Sequence, residues 1–168
     1  MIVEDGTGLV DADSFISVEF ATQYLSARGI SWGVEEESEK EILCIKASDF
    51  INSSFRWNGI KSTSTQALEF PRTGLYDRDG YELIGVPRPI KNATCEAIKV
   101  LLENEELFTT ESENGAVTSE NIKGISFTYD VSKRPEGKSL FNAINTRLEG
   151  LFIDKSKQTV ISGRVERV

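Results

Sequence analysis

The sequence predicts a mainly α-helical fold: a small helical bundle with a long irregular loop and a C-terminal strand-plus-helix arm. Three observations carry this. Apolar residues recur at helical spacing in three segments before residue 110. Between the second and third lies "ALEFPRTGLYDRDG", residues 67–80, which has neither helical nor strand period. Strict alternation of apolar and polar residues occurs late, in "ISFTYDV". The predicted organisation is an N-terminal lead over 1–13, a helical core over 14–110 that includes the loop 56–86, and an extended arm over 111–168. With 168 residues, 39% hydrophobic and 27% charged, the chain has the composition of an ordinary globular protein.

The first helix is expected in "SFISVEFATQYLSARG", where Phe20, Ala21, Tyr24 and Leu25 share a face and Gly29 supplies the stop. The second is expected in "SEKEILCIKASDFINSSF", opened by a capping box of Ser38 and Glu41. Its face is Leu43, Ala47, Phe50 and Ile51, widened by Ile42 and Ile45. The third follows "VPRP": Ile90, Ala93, Thr94, Ala97, Ile98, Leu101 and Leu102 keep the period, with Glu96 among the polar residues opposite. Pro87 and Pro89 set its entry, because proline is tolerated in a first turn.

The strand then places Ile125, Phe127, Tyr129 and Val131 on one face. Its backbone must pair with residues 1–10, with 157–165, or with another molecule. Ser139 is placed to cap a fourth helix carrying Leu140, Phe141, Ile144, Leu148 and Leu151.

The formal charge of −8 repels phosphates on average, and no lysine or arginine run offsets it. Histidine is absent, and Cys44 and Cys95 lie in amphipathic helical patterns without zinc spacing. Buried free thiols and a reducing compartment are the expectation. The first residues lack the pattern of a secretory signal, and no apolar run is long enough to span a bilayer. Asp5, Asp11 and Asp13 lack the glycine and terminal glutamate of a calcium loop, and "YDRDG" reads as an Asp-Gly turn. No P-loop, dinucleotide fingerprint or nucleophile elbow occurs. The expectation is therefore no enzyme: no catalytic, cofactor or metal residues. Trp57, Phe55 and Phe70, interleaved with Arg56, Lys61 and Arg72, fit either a stacking surface for unpaired bases or a buried staple. The acidic charge favours the staple.

The segments "VEDGTGLVDADSFISVEFATQYLSARG", "ASDFINSSFRWNGIKSTSTQALEFPRTGLYDRDG" and "VPRPIKNATCEA" resemble, in this order, a family of tailed-phage DnaT-like single-stranded-DNA-binding proteins. Phe70 stands where that family usually has tryptophan, and Phe15 where it has tyrosine. The later "GAVTSENIKGISFTYD" is similar to a segment of phage head-tail connector adaptors. The two resemblances imply different functions. The adaptor resemblance implies a virion protein of the head-tail neck, present in host cytoplasm before assembly. It would form a homo-oligomeric ring, of twelve subunits, binding the portal protein and a stopper or terminator below, with double-stranded DNA passing unbound and no membrane contact. The other implies an accessory protein that binds single-stranded DNA. Net charge selects the adaptor, since an acidic wall lets DNA slide. On that expectation Trp57, Phe70 and Pro71 anchor the loop, which is either a subunit interface or an intrachain plug. Arg72, Arg78, Ile125, Phe127, Tyr129, Val131, Leu140, Phe141 and Ile144 are the interface candidates.

Overall fold

Serine chemistry decides where the first helix begins. In the computed structural model, which describes residues 1–33, 36–77, 79–103, 107, 119–122, 125–128 and 137–153, Ser14 is not helical. Its hydroxyl bonds the Ile16 carbonyl at 2.8 Å and receives the Ile16 N–H at 3.2 Å, a local alternative to helix. Helix α1 starts later, at Val18–Ser26, capped by the Ser17 hydroxyl, which accepts from the Phe20 N–H. Helix α2 spans Glu37–Ser54. The expected capping box does not form, because Ser38 already lies inside the helix and Glu41 pairs instead with the N-terminal ammonium at 3.4 Å.

Two short strands, β1 at Ile60–Lys61 and β2 at Arg72–Thr73, pair antiparallel within the long connection. Helix α3, Arg88–Leu102, opens as expected, with Pro87 at the N-cap and Pro89 in the first turn. Its buried set includes Ile90, Ala93, Thr94, Ala97 and Ile98, but also Cys95 and Glu96. The reason is tertiary: α3 packs against α1, α2 and α4 together, so little of its middle is left for solvent.

The expected unpartnered strand has a local partner. Strand β3, Ser119–Ile122, pairs antiparallel with β4, Ile125–Thr128, in a hairpin, so this pairing is neither with the chain ends nor with a second molecule. A hairpin closes the shortest loop and hence loses the least chain entropy. Tyr129 and Val131 lie outside the described residues. Helix α4, Gly137–Leu148, begins before Ser139, which is therefore inside it rather than its cap; Leu140 and Phe141 are also in α4. Ile144 and Leu148 are fully buried, and Leu151 nearly so, within their own chain. They join Phe15, Leu25, Ile51, Phe70, Ile90 and Ile98 in one core. The architecture is mainly α-helical, as expected.

Candidate nucleic-acid interface

The connection between α2 and α3 is built on a buried amide. Gln66 donates to the Leu68 carbonyl at 2.8 Å and the Pro71 carbonyl at 3.0 Å, while its own oxygen accepts from the Thr63 N–H at 2.9 Å. Every polar atom of the side chain that turns inward is thus met. The Phe70–Pro71 peptide is cis. Phe70 is fully buried and makes edge contacts with Phe15 at 6.2 Å and Trp57 at 5.0 Å. Trp57 continues to Phe55, and Phe55 to Phe152, with centroids 5.2 and 5.0 Å apart. This aromatic chain joins the segment just before α1, the long connection and the segment after α4.

Arg72 lies at the centre of the connection. Its guanidinium donates to the Asn58 carbonyl at 2.7 Å, the Gly59 carbonyl at 2.9 Å, and Glu69 through both its carbonyl at 3.2 Å and its carboxylate at 2.6 Å. Its pairing is with an acid of its own chain, and Lys61 shares Glu69 at 3.1 Å. Arg78 lies outside the described residues. In the "YDRDG" turn, the Asp77 carboxylate accepts from the N–H groups of Asp79 and Tyr81, as Asp-Gly turn chemistry predicts.

That turn lifts Tyr76 and Tyr81 into solvent, at 60% and 72% exposure, and Ile60 and Ile84 of the same connection are exposed as well. The sequence pattern points instead to Trp57 and Phe70, and both of these are buried. The tyrosines' place either side of an Asp-Gly turn was the available signal, since such a turn leaves its flanks little to pack against. Two open clefts flank the seam where residues 56–58 meet 151–153. The Asn58 N–H donates to the Leu151 carbonyl at 2.9 Å, and the Ile153 N–H to the Arg56 carbonyl at 2.7 Å. One cleft, about 710 Å³, is lined by Asn52, Phe55, Arg56, Trp57, Glu69 and Arg72 among others. The exposed Arg56 guanidinium makes no bond among the described residues. The second, about 620 Å³, lies between Tyr76, Leu83, Pro89, Arg147 and Phe152.

Arg147 enters the second cleft from α4 and is held by a buried acid. Its Nη2 donates to Glu96 Oε1 at 2.6 Å, and the Tyr24 hydroxyl donates to the same oxygen at 2.6 Å. Burial first, and then the Glu96 contact, holds the Tyr24 phenol well above the ordinary tyrosine range. The thiols of Cys44 and Cys95 are both free, and burial pushes each up to about 12, so neither is a nucleophile at neutral pH. Among the described residues no cluster of acids and thiols could hold a metal ion, and no helix is long and apolar enough to cross a membrane.

A family profile described as "Putative DnaT-like ssDNA binding protein" matches residues 1–168. No curated protein and no solved structure matches the chain. The match overturns the adaptor reading: nothing supports a portal-bound ring, a tail-side partner, a place in the head-tail neck, or double-stranded DNA as unbound cargo. That reading failed physically because net charge describes the far field only. Stacking and hydrogen bonding act at contact distance and depend on local clefts and rings. With its whole length matched, the chain belongs to the family of DnaT-like single-stranded-DNA-binding proteins.

Proposed function

We propose that this protein binds single-stranded DNA as an accessory factor of replication, using the Tyr76–Tyr81 turn and the cleft that Tyr76 and Asp77 line. The observation that carries the reading is the family match over residues 1–168. The exposed rings of Tyr76 and Tyr81 supply what an unpaired base needs, a π-face in water, and Tyr76 shares its cleft with the cation of Arg147. The last fifteen residues of the sequence add Lys155, Lys157, Arg164 and Arg167 against only Asp154 and Glu166, so positive charge is concentrated there despite the overall −8. The resemblance to tailed-phage proteins supports a phage setting for this role.

An acidic protein that binds a strand relies on stacking more than on phosphate neutralisation, so its affinity should fall only gently with salt. Fluorescence anisotropy with a labelled oligo-dT tests both points. The expected slope of log K against log salt is about −1 to −2, as one to three phosphate contacts give. Tyr76→Ala and Tyr81→Ala should each weaken binding by about 1 to 3 kcal/mol, the value of one stacked base. No binding at low salt would refute the reading.

A further inference from the structure

The cleft beside Tyr76 combines features that match one nucleobase better than the others. Its walls are the exposed Tyr76 ring with Leu83 and Pro89, which suit the faces of a flat heterocycle. Its polar lining includes one guanidinium, Arg147, and two carboxylates, Asp77 and Glu149. Arg147 spends Nη2 on Glu96, while its Nε is buried without a partner and its Nη1 makes no bond among the described residues. Asp77 commits Oδ1 to the N–H groups of Asp79 and Tyr81, which leaves Oδ2 as an acceptor. A cleft with carboxylates is a poor place for a phosphate, so the edge of a base is the part of a strand it suits.

We propose that this cleft is a base pocket selective for guanine, an assignment that rests on the single-stranded-DNA reading above. Guanine offers two adjacent N–H donors, N1–H and the N2 amino group, on its Watson–Crick edge and two acceptors, O6 and N7, on its Hoogsteen edge. The first edge answers carboxylate oxygen and the second a guanidinium. Adenine presents an amino donor beside N7 and so opposes the guanidinium. Thymine has a single N–H, flanked by carbonyls that face a carboxylate unfavourably. The volume of about 620 Å³ holds a purine nucleotide without deformation of the fold.

The test uses the full chain and oligo-dT strands carrying one central dG, dA, dC or inosine, read by anisotropy. The expected result is that one dG tightens binding about tenfold over dT, the discrimination a good bidentate base contact supplies. Inosine, which lacks the N2 amino group, should lose most of that gain. Asp77→Asn keeps an oxygen for the turn but puts an amide donor in place of Oδ2, and it should abolish the dG preference. Strands bound equally whatever the central base would overturn the pocket and leave the single-stranded-DNA reading standing. A parallel NMR titration with dGMP and dAMP separates the opposite case. Shifts at Tyr76 and Arg147 with dGMP alone would support the pocket even where no strand binds. Equal or absent shifts with both nucleotides would overturn it.

Discussion

Glu4 is 1% exposed, yet its carboxylate accepts from three backbone N–H groups, those of Gly6, Gly8 and Leu9, at 2.8, 2.9 and 2.9 Å. An acid buried in this way organises the turn around it, because each N–H would otherwise be left without water or partner. Glu4→Ala should therefore destabilise the fold by about 2 to 4 kcal/mol, the penalty of several unmet donors, read as a shift in the urea midpoint. The two thiols give a pH prediction. Each is pushed up to about 12 by burial from an ordinary value of 9.0, so the folded chain retains protons that the unfolded chain has released. The stability that follows is fully present below about pH 9 and is lost as pH rises from there toward 12. Urea midpoints should hold between neutrality and pH 8.5 and fall above it, and Cys95→Ala should make that fall shallower. An unchanged slope would mean that Cys95 is accessible to hydroxide in the folded state.

Among the elements, the β1–β2 pair is the one most dependent on a single residue. Ile60 lies opposite Thr73 and Lys61 opposite Arg72, and Gly59 enters this ladder with φ of +70°. A Cβ at Gly59 would run into the Thr73 carbonyl, besides meeting Leu75. Gly59→Ala should cost at least about 2 kcal/mol, since left-handed backbone alone accounts for roughly 1 to 2 for a residue with a Cβ. Because Arg72 donates to the Gly59 carbonyl, the same change should also disturb the Arg56–Trp57 cleft. Thermal melts together with tryptophan emission check both effects; a full-stability variant would show that the connection relaxes around the added methyl.

At the scale of the whole molecule, helix α4 belongs to the core. Ile144 and Leu148 are fully buried, α4 packs on α3, and the one acid buried in α3, Glu96, ties Tyr24 of α1 to Arg147 of α4. Arg28 adds its guanidinium 3.4 Å above the Tyr24 ring. Glu96→Ala removes the shared acceptor and strands a buried phenol and a half-buried cation. The expected loss is about 2 to 3 kcal/mol, as for hydrogen bonds to a charged group. It should also weaken strand binding, because Arg147 and the residues after it wall the second cleft. A variant that melts early yet binds oligo-dT with undiminished affinity would separate the core from the interface.

Periodicity made much of this fold legible. The apolar spacing of Ile90, Ala93, Ala97 and Ile98, the proline entry of α3, and the amphipathic pattern through Ile144 and Leu148 all appear as helices where the chain has them, because helical period is a local property; Leu151, expected in the fourth helix, lies beyond its end and packs into the core from the turn that follows. The Asp-Gly turn after Asp77 was equally local. Other features were decided by the tertiary structure. Glu96 reads as a solvent-facing residue until α4 arrives to bury it, and Glu41 reads as half of a capping box until the N-terminal ammonium claims it. The β3–β4 pairing was hidden because β3, "SENI", is too polar to show an alternation. The clefts were hidden for a tertiary reason: the 56–58 and 151–153 seam that they flank joins segments far apart in sequence, whereas the exposure of Tyr76 and Tyr81 follows from the local turn. Spacing along a chain records which residues share a face, while what covers that face depends on contacts whose partners no local pattern names.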